Sequence, residues 1–203
     1  MAVSKTHPAE AVAEAVRAGV PLFGENRVQE FEAKRPRLRE WGVTAEVHLI
    51  GHLQSNKSAK AAEVFDGVDT VDSLRLAERL SDAATRLGKT LPVLLEIKLS
   101  PEPTKAGLDP DGPELRDLLE RMPDLPSRPL HGLMTIAPFD DNPETARACF
   151  RRLRVLRDKL ARQYPRLDFS TLSMGMSGDF EAAIEEGSTL VRIGTALFGQ
   201  RPR

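Results

Sequence analysis

The sequence predicts an α/β protein built as one (β/α)8 barrel, and three observations lead there. Short apolar runs alternate with longer amphipathic stretches from one end of the chain to the other, and there are eight such runs. Most of these runs are apolar nearly throughout, as expected of parallel strands covered on both faces. No linker rich in Gly, Ser or Pro divides the 203 residues, so residues 1–203 read as a single domain. Eight units favour a closed barrel; an open doubly wound sheet is the alternative, because periodicity does not report closure.

The strand-like runs are residues 2–5, 20–24, 47–51, 68–71, 92–99, 130–136, 171–176 and 190–198. Helix-like stretches separate them, with apolar residues at three- and four-residue spacing. After the fourth run, Leu74, Ala77, Leu80, Ala84 and Leu87 form one stripe. Asp72 or Ser73 is its expected N-cap and Gly88 its stop. The Pro-rich pieces 101–113 and 123–129 read as loops flanking one short helix. After the sixth run, Ala146, Phe150, Leu153 and Leu160 form another stripe, and the opposite face is dense in Arg.

Composition excludes several function classes. Twenty-nine Lys plus Arg stand against thirty Asp plus Glu, which leaves no basic footprint for binding nucleic acid through phosphate neutralisation. The longest apolar run, 91–97, is broken by Pro92 and Glu96, far short of a membrane span. The start lacks a basic region followed by an apolar core, so no secretory signal is read. The single cysteine, Cys149, falls on an apolar helix stripe and cannot form an internal disulfide. A reducing cytoplasm is the expected compartment.

In a parallel barrel the chemistry collects at the C-terminal ends of the strands, and three segments there carry polar groups. Lys5 follows the first strand. Partial burial would lower its pKa, and a neutral amine attacks an aldehyde to form a Schiff base; a plain surface lysine is the alternative. Ser177 and Gly178 follow the seventh strand, where a helix N-terminus can hold an anion. Helix capping by Ser177 accounts for the same residue types. Arg192 interrupts an apolar strand and needs a partner, either a ligand or a structural carboxylate. Gly194 and Thr195 follow it and could bring a backbone N–H and a hydroxyl onto the anion that Ser177 faces. His48 and His52 lack a third ligand nearby, so no metal is expected. The Arg cluster between Arg147 and Arg162 reads as a solvated helix face, and Tyr164 as a surface anchor.

The segments Ala-Val-Ser-Lys-Thr at 2–6, Phe-Gly-Glu-Asn-Arg-Val-Gln-Glu at 23–30 and His-Leu-Ile-Gly-His-Leu-Gln-Ser-Asn-Lys at 48–57 stand in order with three more. These are Gly-Leu-Met-Thr-Ile at 132–136, Leu-Ser-Met-Gly-Met-Ser-Gly-Asp at 172–179 and Val-Arg-Ile-Gly-Thr-Ala-Leu-Phe-Gly at 191–199. Together, over the whole chain, they resemble the pyridoxal phosphate homeostasis proteins. The resemblance implies a barrel like the N-terminal domain of alanine racemase, with pyridoxal 5′-phosphate held as an internal aldimine on Lys5. It implies phosphate binding by Ser177, Gly178, Gly194 and Thr195, with Arg192 facing the pyridine nitrogen. Asn26 and His52 match motif positions that line the mouth. The implied role is storage or transfer of the cofactor to apo-enzymes, by a cytoplasmic monomer that is not a catalyst. A pyridoxal-phosphate-dependent amino-acid racemase is the alternative; a barrel binding another phosphorylated metabolite is a third reading. Family members usually have a helix before the first strand, whereas this sequence starts on the strand, which places barrel closure beside Lys5 in question.

Overall fold

The computed structural model describes residues 1–100, 102, 106–127, 129–140 and 142–200. Eight strands form one sheet in sequence order: β1 (Ala2–Val3), β2 (Leu22–Glu25), β3 (Glu46–Leu49), β4 (Gly67–Val71), β5 (Val93–Glu96), β6 (Leu130–Met134), β7 (Thr171–Met176) and β8 (Leu190–Arg192). Each pairs in parallel with the next. The helices between them are α1 (Ala9–Arg17), α2 (Val28–Glu40), α3 (Ser58–Val64), α4 (Leu74–Arg86), α5 (Pro113–Arg121), α6 (Pro143–Gln163) and α7 (Phe180–Glu185), with α8 (Thr195–Phe198) after β8.

The ring is closed. Ile193, just past β8, bridges Ala2 in parallel. Val3 N–H donates to the Ile193 carbonyl at 2.8 Å, and Ile193 N–H to the Met1 carbonyl at 3.0 Å. Two backbone bonds beside Lys5 thus settle the question of closure, and the open sheet is excluded.

Between the barrel and its helices lies one apolar core. On α4, Leu76, Ala77, Leu80 and Ala84 are buried, whereas Leu87 at the end of the stripe is 49% exposed. Ser73 is the N-cap, its hydroxyl accepting the Leu76 N–H at 3.3 Å. On α6, Asn142 caps the first turn, and Ala146, Cys149, Phe150, Leu153 and Leu160 turn inward. The Arg face of α6 is less free than the sequence suggests: Arg147, Arg151 and Arg154 all reach Glu186 beyond α7. Tyr164 is the C-cap of α6 and packs partly against the core instead of standing on the surface.

Most strands are shorter than their apolar runs. The eighth run, 190–198, divides into β8 and α8 at Gly194, because the Gly-Thr pair turns the chain off the sheet. In the first Pro-rich piece, residues 101 and 103–105 lie outside the described residues, as does residue 128 in the second. The short helix between the pieces is α5. Gly132 has φ +146, and a Cβ there would stand 1.9 Å from the Thr171 carbonyl oxygen. Only glycine allows β6 and β7 to approach so closely. No helix of the described residues is long and apolar enough to cross a membrane.

Candidate functional site

The C-terminal ends of the strands open on one side, and the residues expected to hold a cofactor all end or follow a strand there, whereas His48 and Tyr164 do not. Lys5 follows β1 and is half-buried. Asn26 follows β2, His52 follows β3, Ser177 and Gly178 follow β7, and Arg192 ends β8. A cavity of about 550 Å3 opens there, with Asn26, Ile50 and His52 on one wall and Glu96, Lys98 and Ile136 on another.

Past Ile136, which also lines that cavity, the β7 and β8 loops meet. The Ser177 hydroxyl oxygen accepts the Gly194 N–H at 3.2 Å and the Ala196 N–H at 3.3 Å. Ser177 therefore does not cap the helix that follows it. Asp179 is the N-cap residue of α7, and its carboxylate accepts the Met176 N–H. The Ser177 oxygen instead fills a pair of N–H groups at the start of α8, the donors an anion would use. Room lies around this cradle: a Cβ on Gly178 would meet nothing within 4 Å, and one on Gly194 would only touch Val3 at 3.5 Å. A hollow of about 830 Å3 adjoins Ser177 and Gly178, with Ile136, Phe139 and Arg147 among its other walls. Thr195, the first residue of α8, lies between the two donors.

Arg192 is 4% exposed. Its Nη1 donates to Ser173 Oγ at 2.8 Å and its Nη2 to the Thr135 carbonyl at 2.9 Å. The expected structural carboxylate is not its hydrogen-bond partner. Burial pulls the guanidinium pKa down, while the charges of Asp69 and Glu96 hold it up. Arginine stays charged even so, so the floor of the mouth carries a fixed cation.

Sequence reading missed Glu96 as a site residue. It ends β5, lines the cavity and is 7% exposed, and its Oε2 is buried without a hydrogen-bond partner. Burial, then repulsion from Asp72, pushes its carboxyl up to about 7. The signal was present: an acidic residue interrupts an apolar run, as Arg192 does. His52 pairs with Asp72 at 3.3 Å, and His48 lies inside the barrel between Asp69 at 2.9 Å and Glu46 at 3.0 Å. The two histidines share no ligand set, and among the described residues no group of three metal-ligating side chains stands together.

Residues 1–202 match the family model of the alanine racemase N-terminal domain. The pyridoxal phosphate homeostasis protein of Escherichia coli K12 is 46% identical over 202 residues, which cover 99% of this chain and 85% of that one. That of Aquifex aeolicus is 43% identical over 201 residues, covering 99% and 86%. Among solved structures, PipY of Synechococcus elongatus PCC7942 with pyridoxal phosphate bound superposes with a TM-score of 0.91 at 45% identity, covering 98% of this chain and 91% of PipY. The alanine racemase of Clostridium difficile 630, at 20% identity and TM-score 0.74, shares the fold, and this chain spans 52% of it. Matched nearly end to end by these relatives, the chain belongs to the pyridoxal phosphate homeostasis protein family.

Proposed function

We propose that this protein binds pyridoxal 5′-phosphate at the barrel mouth and serves its homeostasis, holding the cofactor for storage or transfer. One observation carries the reading: a lysine, a pair of backbone donors and a buried arginine converge on one mouth, beside a cavity large enough for a pyridine ring. The residues fit the group. The phosphate would lie at the β7–β8 cradle, taking N–H donors that Ser177 now fills, with Ser177, Gly178, Gly194 and Thr195 around it. Arg192, donating from the floor, would face the ring nitrogen and keep it unprotonated. Asn26 and His52 would border the ring from the far wall.

The cofactor supplies an aldehyde, and Lys5 supplies the amine that fixes it. When bound, the group would bring a carbonyl that a lysine amine can hold covalently, and Lys5, directly after β1, is the residue that would do so.

The role is carrier and not catalyst. Racemisation needs a proton donor or acceptor on each face of a planar carbanion. Tyr164, the one tyrosine of the chain, caps the C-terminal end of α6, which in a β/α barrel lies at the face opposite the mouth. An arginine at the ring nitrogen also weakens the cofactor as an electron sink. We assign the protein to the cytoplasm, a reading that the single buried thiol of Cys149 supports, as a monomer that passes its cofactor transiently to apo-enzymes. Incubation with L-alanine or L-serine tests the carrier assignment. Optical rotation that persists is the expected result, and its loss at enzyme-like rates would favour the racemase.

A further inference from the structure

The turn that carries Lys5 is gripped by a buried ion cluster that none of the proposed cofactor contacts uses. Lys34 on α2 is 9% exposed although it is a lysine. Its Nζ donates to three oxygens: the Ser4 carbonyl at 2.9 Å, Glu25 Oε1 at 2.8 Å and Glu30 Oε1 at 2.8 Å. The Ser4 hydroxyl donates to the same Glu25 oxygen at 2.7 Å, and Glu30 Oε1 accepts the Thr6 N–H. Both neighbours of Lys5 are thus tied to one ammonium, Ser4 directly and Thr6 through Glu30.

Two features show that this arrangement is costly. Thr6 has φ +67, a left-handed conformation that a β-branched residue adopts only when its surroundings impose it. Glu25 is 1% exposed, and its Oε2 has no hydrogen-bond partner. Buried ion pairs are often no more stabilising than apolar packing of the same volume, so stability is a poor reason for this one. What the cluster does fix is the path of residues 4–6.

We propose that Lys34, together with Glu25 and Glu30, positions Lys5: the cluster holds the 4–6 turn so that the Lys5 amine meets the cofactor's aldehyde in a reactive orientation. The proposal rests on the cofactor reading above. Lys34 touches neither cofactor nor reacting atoms, and its effect is on aim.

The test uses the full chain and two ligands. Pyridoxal 5′-phosphate can bond to Lys5; pyridoxine 5′-phosphate, with an alcohol in place of the aldehyde, can only bind. In Lys34→Met, growth of the visible band with pyridoxal phosphate should slow at least about tenfold, since misplacement near 1 Å costs on the order of a hundredfold. Affinity for pyridoxine 5′-phosphate should stay at the wild-type value. Glu30→Gln, at a partly exposed residue, leaves Lys34 on Glu25 and Ser4 and, by removing the charge, weakens the bonds that the Glu30 oxygen accepts from Lys34 and from the Thr6 N–H. It should show the same split more weakly, and it covers the case in which Lys34→Met does not fold. Equal loss for both ligands would reduce the cluster to a structural part and overturn the proposal. Wild-type band growth in Glu30→Gln with Lys34→Met folded and equally fast would overturn it too. Absence of any band in the wild type would overturn the cofactor reading itself.

Discussion

Burial at the mouth pushes the Glu96 carboxyl up to about 7 from the ordinary 4.5. Below 4.5 both folded and unfolded chains carry the proton, and ionisation costs nothing. Between the two values the unfolded chain releases a proton that the folded chain keeps, so stability falls as pH rises through this window and levels off above it. Glu96→Gln removes the dependence. The variant should gain on the wild type from pH 4.5 to 7, up to about 3 kcal/mol at higher pH. Urea unfolding of both proteins at pH 5 and pH 8 reads the difference; equal gaps at the two pH values would mean that Glu96 is ionised throughout. Ser177 makes the second residue-level prediction. A phosphate that displaced its oxygen from the Gly194 and Ala196 N–H groups would accept from the Ser177 and Thr195 hydroxyls, so Ser177→Ala combined with Thr195→Ala should weaken cofactor retention. Each lost hydrogen bond to a charged group is worth about 1.5–3 kcal/mol, and an equilibrium titration with unchanged affinity would move the phosphate elsewhere.

At the scale of elements, local chemistry was legible and distant partners were not. Ser73 as the cap of α4 could be read from its neighbours, because the capping bond spans three residues. Its loss in Ser73→Ala should cost about 1 kcal/mol, measured as a lower urea midpoint at constant slope. Ser177 also reads as a cap, and it is one, but for a helix beginning two elements later. The bond to Gly194 spans seventeen residues of chain and has no local signature. Arg192 likewise signalled that it needed partners without revealing that they are the Ser173 hydroxyl and the Thr135 carbonyl. Lys34 was missed because its partners come from β1, β2 and the first turn of α2; in the structure it is buried in one row with Val28, Phe31 and Leu38. A charged residue in an apolar row is the pattern that also marks Glu96 and Arg192. Gly132 belongs to a motif quoted with the cofactor residues, yet its role is packing. Gly132→Ala should break the β6–β7 register, read as loss of the cooperative unfolding transition; a variant with wild-type stability would contradict the 1.9 Å approach.

For the whole molecule, eight runs foretold eight strands, and the alternation with helices foretold their parallel order. Closure is a property of the ends, and it rests on backbone bonds between Ile193 and residues 1–3, which no periodicity records. With the ring closed, all the strand ends open on one side, and residues from 5 to 195 come to share a mouth. On that convergence rests the proposed site: a lysine on the first strand end, an arginine on the last, and between β7 and β8 the N–H groups proposed to hold the phosphate. The barrel interior is polar in part, with His48, Asp69, Glu96 and Arg192 inside or at its rim. Asp69 and Glu96 lie near enough to the guanidinium to oppose the effect of its burial, and the cation at the mouth floor is what the ring nitrogen would meet. Arg192→Glu should therefore change the absorption spectrum of the loaded protein by restoring a proton to that nitrogen. An identical spectrum would place the guanidinium away from the ring.

The bond between Lys5 and the cofactor is the centre of the account, and a titration of wild type and Lys5→Ala with pyridoxal 5′-phosphate, followed by visible absorption, tests it most directly. A saturable band in the wild type that is absent from the equally folded variant is the predicted result. No band in the wild type, or the same band in both proteins, would contradict it.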